Sequence, residues 1–210
     1  MNFTTTYKDT AGVSRTVAVT EEDSMEAMKN DYDVVSRLYN PRYVTIQRVQ
    51  AGPGEAMHLK VTVRAPSHYL TSQEDTSPKA CRSTSVDIVV YPGYPVIKVK
   101  AYYPGDHYLA SPNVFRYGGA CIDEWIPFTS SLVTVVEKLV HDMIHDPIVT
   151  RYDSMANAAM EQWHKNGVAA GRFPTIAPKL LYAPETKALP PRGTGGVTKK
   201  TITPMPPRRR

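Results

Sequence analysis

Four apolar, β-branched runs follow one another at residues 43–49, 56–64, 85–91 and 96–103, with no helical stretch between them. Strands joined by turns pair antiparallel, since a parallel return needs a crossover of a dozen or more residues. Gly52, Pro53 and Gly54 turn the chain between the first and second runs, and residues 92–95 turn it between the third and fourth. Residues 67–82, polar and carrying Pro78, are expected to form a long loop between the second and third. The order predicts a four-stranded antiparallel meander.

Such a sheet has an apolar face that must be covered, and two periodic stretches can cover it. Before the strands, Met25, Met28, Tyr32, Val35 and Tyr39 recur at spacings of three and four. Thr20 is placed to cap that helix, Glu21, Glu22 and Asp23 suit its positive end, and Pro41 stops it. After the strands, Leu132, Val135, Val136, Leu139, Val140, Met143 and Ile144 make a broad apolar stripe that Pro147 ends. A last helix is expected over 154–165, where Met155, Ala158, Ala159, Gln162 and Trp163 form a weaker stripe. Residues 3–19, rich in Thr, can form a hairpin turning at 10–12. The predicted class is α+β: an N-terminal helix, the meander, and C-terminal helices packed on the sheet.

The charge of +5 would suggest a nucleic-acid binder until it is located. From residue 183 onward seven Lys and Arg face Glu185 alone, a net of six positive charges, which leaves the remaining chain one charge below neutral. A body near neutrality lacks the basic face that follows a phosphate backbone, so nucleic acid is not the expected partner. The same tail holds six of the eighteen prolines, with Gly193, Gly195 and Gly196 among them. It cannot bury enough apolar surface to offset its ordering entropy, and it reads as a tether that is disordered or ordered only on binding. Three segments follow: an N-terminal extension (1–19), a folded domain (20–182) and a basic Pro/Gly-rich tail (183–210). No apolar run reaches the roughly 18 residues of a membrane span, and the start lacks the pattern of a secretory signal, so a cytoplasmic protein without membrane contact is expected. Cys81 and Cys121 stand forty positions apart with no Cys-x-x-Cys or His-Cys cluster, so neither a disulfide framework nor a zinc site is predicted.

Residues 104–127, between the last strand and its covering helix, have little periodicity, and long coils of this kind are uncommon unless they serve function. They contain Ser111-Pro112-Asn113, then Gly118-Gly119-Ala120-Cys121-Ile122-Asp123, then Trp125-Ile126-Pro127. With Tyr94-Pro95 before the fourth strand, Asn113 eight residues before Cys121, Asp146-Pro147 after the amphipathic helix, and Asp153, Met155 and Asn157 beyond, the chain resembles the ubiquitin-conjugating enzyme family. The likeness spans about residues 20–165. It implies that family's fold and a cysteine that carries a ubiquitin-like modifier as a thioester. The implied partners are the modifier, an activating enzyme and a protein substrate offering an acceptor lysine. No bound cofactor is implied, because the activating partner spends the ATP.

The chemistry of the residues agrees with that implication. Acyl transfer needs a thiolate able to accept from a thioester and yield to an amine, and a Cys on a polar loop suits this, which makes Cys121 the candidate nucleophile. Asn113 is the candidate donor to the oxyanion of the tetrahedral intermediate, or else the residue that orders the loop. A carboxylate can orient or deprotonate the acceptor lysine; Asp153 is the first choice and Asp123 the second, while on sequence alone capping of the last helix is the slightly favoured reading of Asp153, and the two roles can coexist. Ser111 stands where the family has His, with His107 a candidate replacement, and the interval from Cys121 to Trp125 is short. Those departures are similar to the divergence of prokaryotic relatives that work beside ubiquitin-like proteins and activating enzymes.

Other features have plainer readings. His141 and His145 lie four apart with Asp142 and Asp146 beside them, which is metal-ligand spacing, but a solvated helix face is the favoured reading. Cys81 reads as incidental, and the Gly195-Gly196 pair as part of a flexible linker. The competing functional class is a non-catalytic module of the same fold that binds a ubiquitin-like protein or an assembly partner.

Overall fold

A computed structural model of the chain describes residues 1–9, 11–72, 74–105, 107–122, 125–150, 152 and 156–184. The basic tail beyond 184 lies outside them.

Strands β1 (Asn2–Lys8) and β2 (Ser14–Thr20) form the hairpin expected at the start, with Asn2 opposite Thr20 and Lys8 opposite Ser14. Asp9 closes its turn: one carboxylate oxygen accepts from the amides of Ala11 and Val13, the other from Arg15 Nε at 2.7 Å. Thr20 then caps α1 (Glu21–Leu38), its hydroxyl accepting from the Asp23 amide at 3.1 Å, which satisfies one of the orphan donors of the first turn.

The meander follows as β3 (Val44–Val49) and β4 (Met57–Val63). A correction comes next. Residues 67–82 are not a plain loop but contain β5 (Ser67–Leu70) and β6 (Lys79–Cys81), which pair antiparallel. Asp75 organises the turn between them by accepting from the Thr71 amide and hydroxyl and from the Ser77 amide. Backbone pairing, not apolar content, makes these strands, so hydropathy carried no sign of them. The main sheet resumes with β7 (Thr84–Val90) and β8 (Lys100–Tyr102), giving the order β3-β4-β7-β8, all antiparallel. β8 is shorter than expected because residues 93–97 are wound into a turn in which the amides of Val96 and Ile97 both donate to Gly93 O. Val96 and Val99 are apolar for packing rather than pairing, being 2% and 0% exposed. β9 (Tyr108–Leu109) pairs with β5 and completes a second, three-stranded sheet.

Met57, Leu59, Val61 and Val63 alternate inward along β4 and meet Met28, Val35 and Leu38 of α1 in one core cluster. The same cluster holds Val136, Leu139, Val140 and Met143 of α2 (Leu132–Met143), so both helices share the sheet's apolar face. Each such side chain contributes about 1.5–3 kcal/mol by leaving water. Ser131 caps α2. At its first amide the Tyr94 hydroxyl accepts from Leu132 N at 2.7 Å while donating to Asp31 of α1, so the turn before β8 ties the two helices together.

α2 ends before Pro147. His145 adopts φ 58° in the left-handed region, its amide donates to Asp142 O, and the Asp146 amide donates back to His141 O. That is a Schellman stop with His in the place glycine usually takes. α3 (Ala159–Ala169) starts and ends later than the stripe suggested. Gly167 does not break it, because the bare Cα receives the ring of Phe173; a Cβ there would lie 2.1 Å from Phe173 Cε2. Residues 172–184 then return along the body: Thr175 N donates to Ile144 O, Asn40 N to Leu181 O and Ala183 N to Leu38 O. No helix among the described residues is long and apolar enough to cross a membrane.

Candidate functional site

Beyond β8 the chain turns back on itself. Tyr103 N donates to Gly118 O and Ala120 N to Ala101 O, which lays residues 118–120 along the open edge of β8. The tight return runs through Phe115 and Gly118, with Gly118 at φ 87°; a Cβ there would meet the Tyr108 ring at 2.7 Å, so glycine is required. Cys121 follows directly, and its amide donates to Asn113 O at 2.7 Å. The pair that stands eight apart in sequence is thus joined through the main chain.

Cys121 is a free, half-buried thiol on a ridge between two clefts. One, about 80 Å³, is apolar and lies toward α2, with Ile122, Trp125, Val135 and Leu139 in its wall and Lys138 at its edge. The other, about 420 Å³, lies toward β8 and is lined by Lys98, Lys100, Tyr102, Phe115 and Tyr117, the last two stacked with ring centroids 5.2 Å apart. Trp125 is fixed by an Nε1 hydrogen bond to Pro95 O.

Asn113 is 4% exposed and its side chain is turned toward α2. Nδ2 donates to Asp142 Oδ1 at 3.0 Å and to Val149 O at 3.3 Å, so both amide hydrogens are engaged in holding the loop. Ser111, fully buried, donates to the same Asp142 oxygen at 2.6 Å and accepts from the Asn113 amide at 3.0 Å. Burial pushes the Asp142 carboxyl up to about 6, against the opposing pull of the Ser111 and Asn113 hydrogen bonds and the Lys138 charge. Tyr103, whose buried hydroxyl has no hydrogen-bond partner, is pushed well up by burial and by the Asp142 charge.

Asp123 and Asp153 lie outside the described residues. Residues 156 and 157 are anchored beside the loop, since the amides of Ala156 and Asn157 both donate to Pro112 O, at 2.9 and 3.0 Å. His107 is not beside Cys121: it stacks on Tyr69 at 4.4 Å and lines a different cleft together with Cys81, whose Sγ lies 3.6 Å from Thr84 Oγ1.

The reading of His141 and His145 as a solvated face is overturned, because residues 172–184 and α3 cover the side of α2 that the sheet leaves open. His141 is buried with Nδ1 2.8 Å from Asp146 Oδ2 and Nε2 2.8 Å from the Tyr182 hydroxyl, which donates to Glu137. His145 is 0% exposed and packs among Phe173, Trp163, His68 and His164. Among the described residues no group of three or more His, Cys, Asp and Glu is placed to hold a metal ion.

Sequence reasoning passed over Asp142. Its signal was there: it falls three residues after Leu139 and seven after Val135, a charge on the buried stripe of a helix, which requires partners. Comparison with known proteins found no family model that matches the chain and no match among curated proteins.

Proposed function

We propose that the chain has the ubiquitin-conjugating fold and is a conjugating enzyme of the ubiquitin-like type, with Cys121 as the residue that carries the modifier. The observation that carries this reading is the half-buried Cys121 thiol on a ridge between two clefts, hung from Asn113 by a main-chain hydrogen bond, on a coil between a four-stranded antiparallel sheet and its covering helix. In the first step the Cys121 thiolate attacks the carbonyl of a thioester on the activating enzyme. A new thioester forms on Cys121 and the activating enzyme's thiolate leaves. In the second, an acceptor amine attacks that carbonyl, the Cys121 thiolate leaves, and the amine's proton passes to a base. Asp153 and Asp123 are the proposed bases. Asn113 has the role of ordering the loop, since donation to the oxyanion would require one of its two hydrogen bonds to be released.

Those two engaged hydrogens favour one alternative, a binding module of the same architecture that carries no thioester. Incubation with an activating enzyme and a ubiquitin-like protein separates the two. A thiol-sensitive adduct is expected that Cys121→Ala abolishes and Cys81→Ser leaves intact. An adduct that persists in Cys121→Ala, or binding of the modifier with no adduct in the parent, removes the transferase assignment.

A further inference from the structure

The buried polar cluster under the Cys121 loop has no role in the chemistry above, and its geometry gives it one. Cys121 N hangs on Asn113 O; the Asn113 side chain hangs on Asp142 Oδ1; Ser111 hangs on that same oxygen and receives the Asn113 amide. The three side chains are buried, 0%, 4% and 2% exposed for Ser111, Asn113 and Asp142. Asp142 is held by α2, whose Val136, Leu139, Val140 and Met143 lie in the core, so it is the fixed post in this chain of contacts. We infer that Asp142 is the positioning residue of the Cys121 loop, acting through Ser111 and Asn113 in the place where the related fold uses a loop histidine. The inference builds on the proposed role of Cys121, and a serine stands at position 111 because a short hydroxyl can reach a carboxylate brought up from below.

The carboxylate accepts two hydrogen bonds on Oδ1, and both are stronger when it is ionised. Among the described residues, the groups facing it are Ser111 and Asn113 from the loop, the Tyr103 hydroxyl from the end of β8, and Lys138 one turn earlier on α2. Burial places its ionisation near pH 6, so the grip on the loop weakens as pH falls through that value. The conformation presented by Cys121 then depends on the ionisation of a residue it does not touch.

The test reads the thiol directly and needs no modifier. In a Cys81→Ser background, the rate of Cys121 alkylation by iodoacetamide is followed from about pH 5 to about pH 8 for the parent, Asp142→Asn and Asp142→Ala, with folding checked by circular dichroism. Below pH 6 the parent's log rate is expected to fall more steeply than that of Asp142→Asn, which keeps an acceptor oxygen without the titration; Asp142→Ala should change the rate at about pH 7.5 by fivefold or more. Superimposable profiles in three folded proteins overturn the role of Asp142. Because alkylation does not involve the modifier, that outcome is distinct from a missing thioester adduct, which bears on the transferase reading alone.

Discussion

His145 is the residue whose replacement tests the packing of the C-terminal half most sharply. It is fully buried at the αL stop of α2, with ring centroids 4.6 Å from Phe173 and 5.3 Å from both Trp163 and His68, and its Nδ1 has no partner. Burial first, then the neighbouring His68 and His164, hold its imidazole well below the usual 6.5. Below pH 6.5 the unfolded chain therefore binds a proton that the folded one refuses, and stability falls with pH. At about pH 5, some one and a half units below the unfolded value, that loss is at most about 2 kcal/mol. His68 and His164 are shifted down for the same chief reason, burial, and act in the same sense to a lesser degree. Asp142 opposes them: its raised value makes the folded state bind the extra proton between about 6 and 3.8, so its contribution grows on acidification. The difference between parent and His145→Asn isolates the His145 part. Asn is chosen because it tolerates a positive φ better than other side chains. Urea unfolding at about pH 7.5 should show the variant less stable, through lost ring packing. At about pH 5 the deficit should be smaller, by up to about 2 kcal/mol. An equal deficit at both pH values would refute the claim that a neutral imidazole, with Nε2 3.3 Å from His68 Nδ1 and Nδ1 unpaired, is locked in that core.

Two further substitutions test close approaches. Gly167→Ala gains about 1 kcal/mol of helix propensity but forces a methyl into the Phe173 ring, an overpacking cost of about 1–3 kcal/mol. A lower midpoint and altered Trp163 fluorescence are expected, and a stabilised protein would show that the ring yields freely. Gly93→Ala combines φ 91° with a Cβ 2.6 Å from Phe3 Cγ and should loosen the β1–β2 hairpin from the body. Faster proteolysis between β1 and β2 is expected, together with non-additivity of at least about 0.5 kcal/mol against Phe3→Ala; strict additivity would place the strain elsewhere.

Much of the architecture could be read along the chain because it is local. The stripe through Met28 and Val35, the Thr20 cap and the turn at Gly52-Pro53-Gly54 each depend on residues within a few positions, and α1 and β3–β4 stand where those signals put them. The eight-residue interval from Asn113 to Cys121 was equally legible, and it corresponds to a main-chain hydrogen bond. The reading failed where partners come from far away. β5 and β6 exist through pairing with each other and, for β5, with β9, and the cover over His141 comes from Tyr182, forty-one positions on.

Sequence alone determined the helices α1 and α2, the extended antiparallel runs of the main sheet, and which cysteine sits on the coil before the covering helix, since periodicity and turn chemistry are short-range properties. Only the tertiary structure decided that Asn113 faces Asp142, that His141 and His145 are covered, and that Cys121 borders two clefts. Ser111 and Asp142 are thirty-one positions apart, and Tyr182 reaches His141 across forty-one. Contacts at such separations follow from how two helices and a returning strand of chain close over one sheet, and no local pattern encodes them.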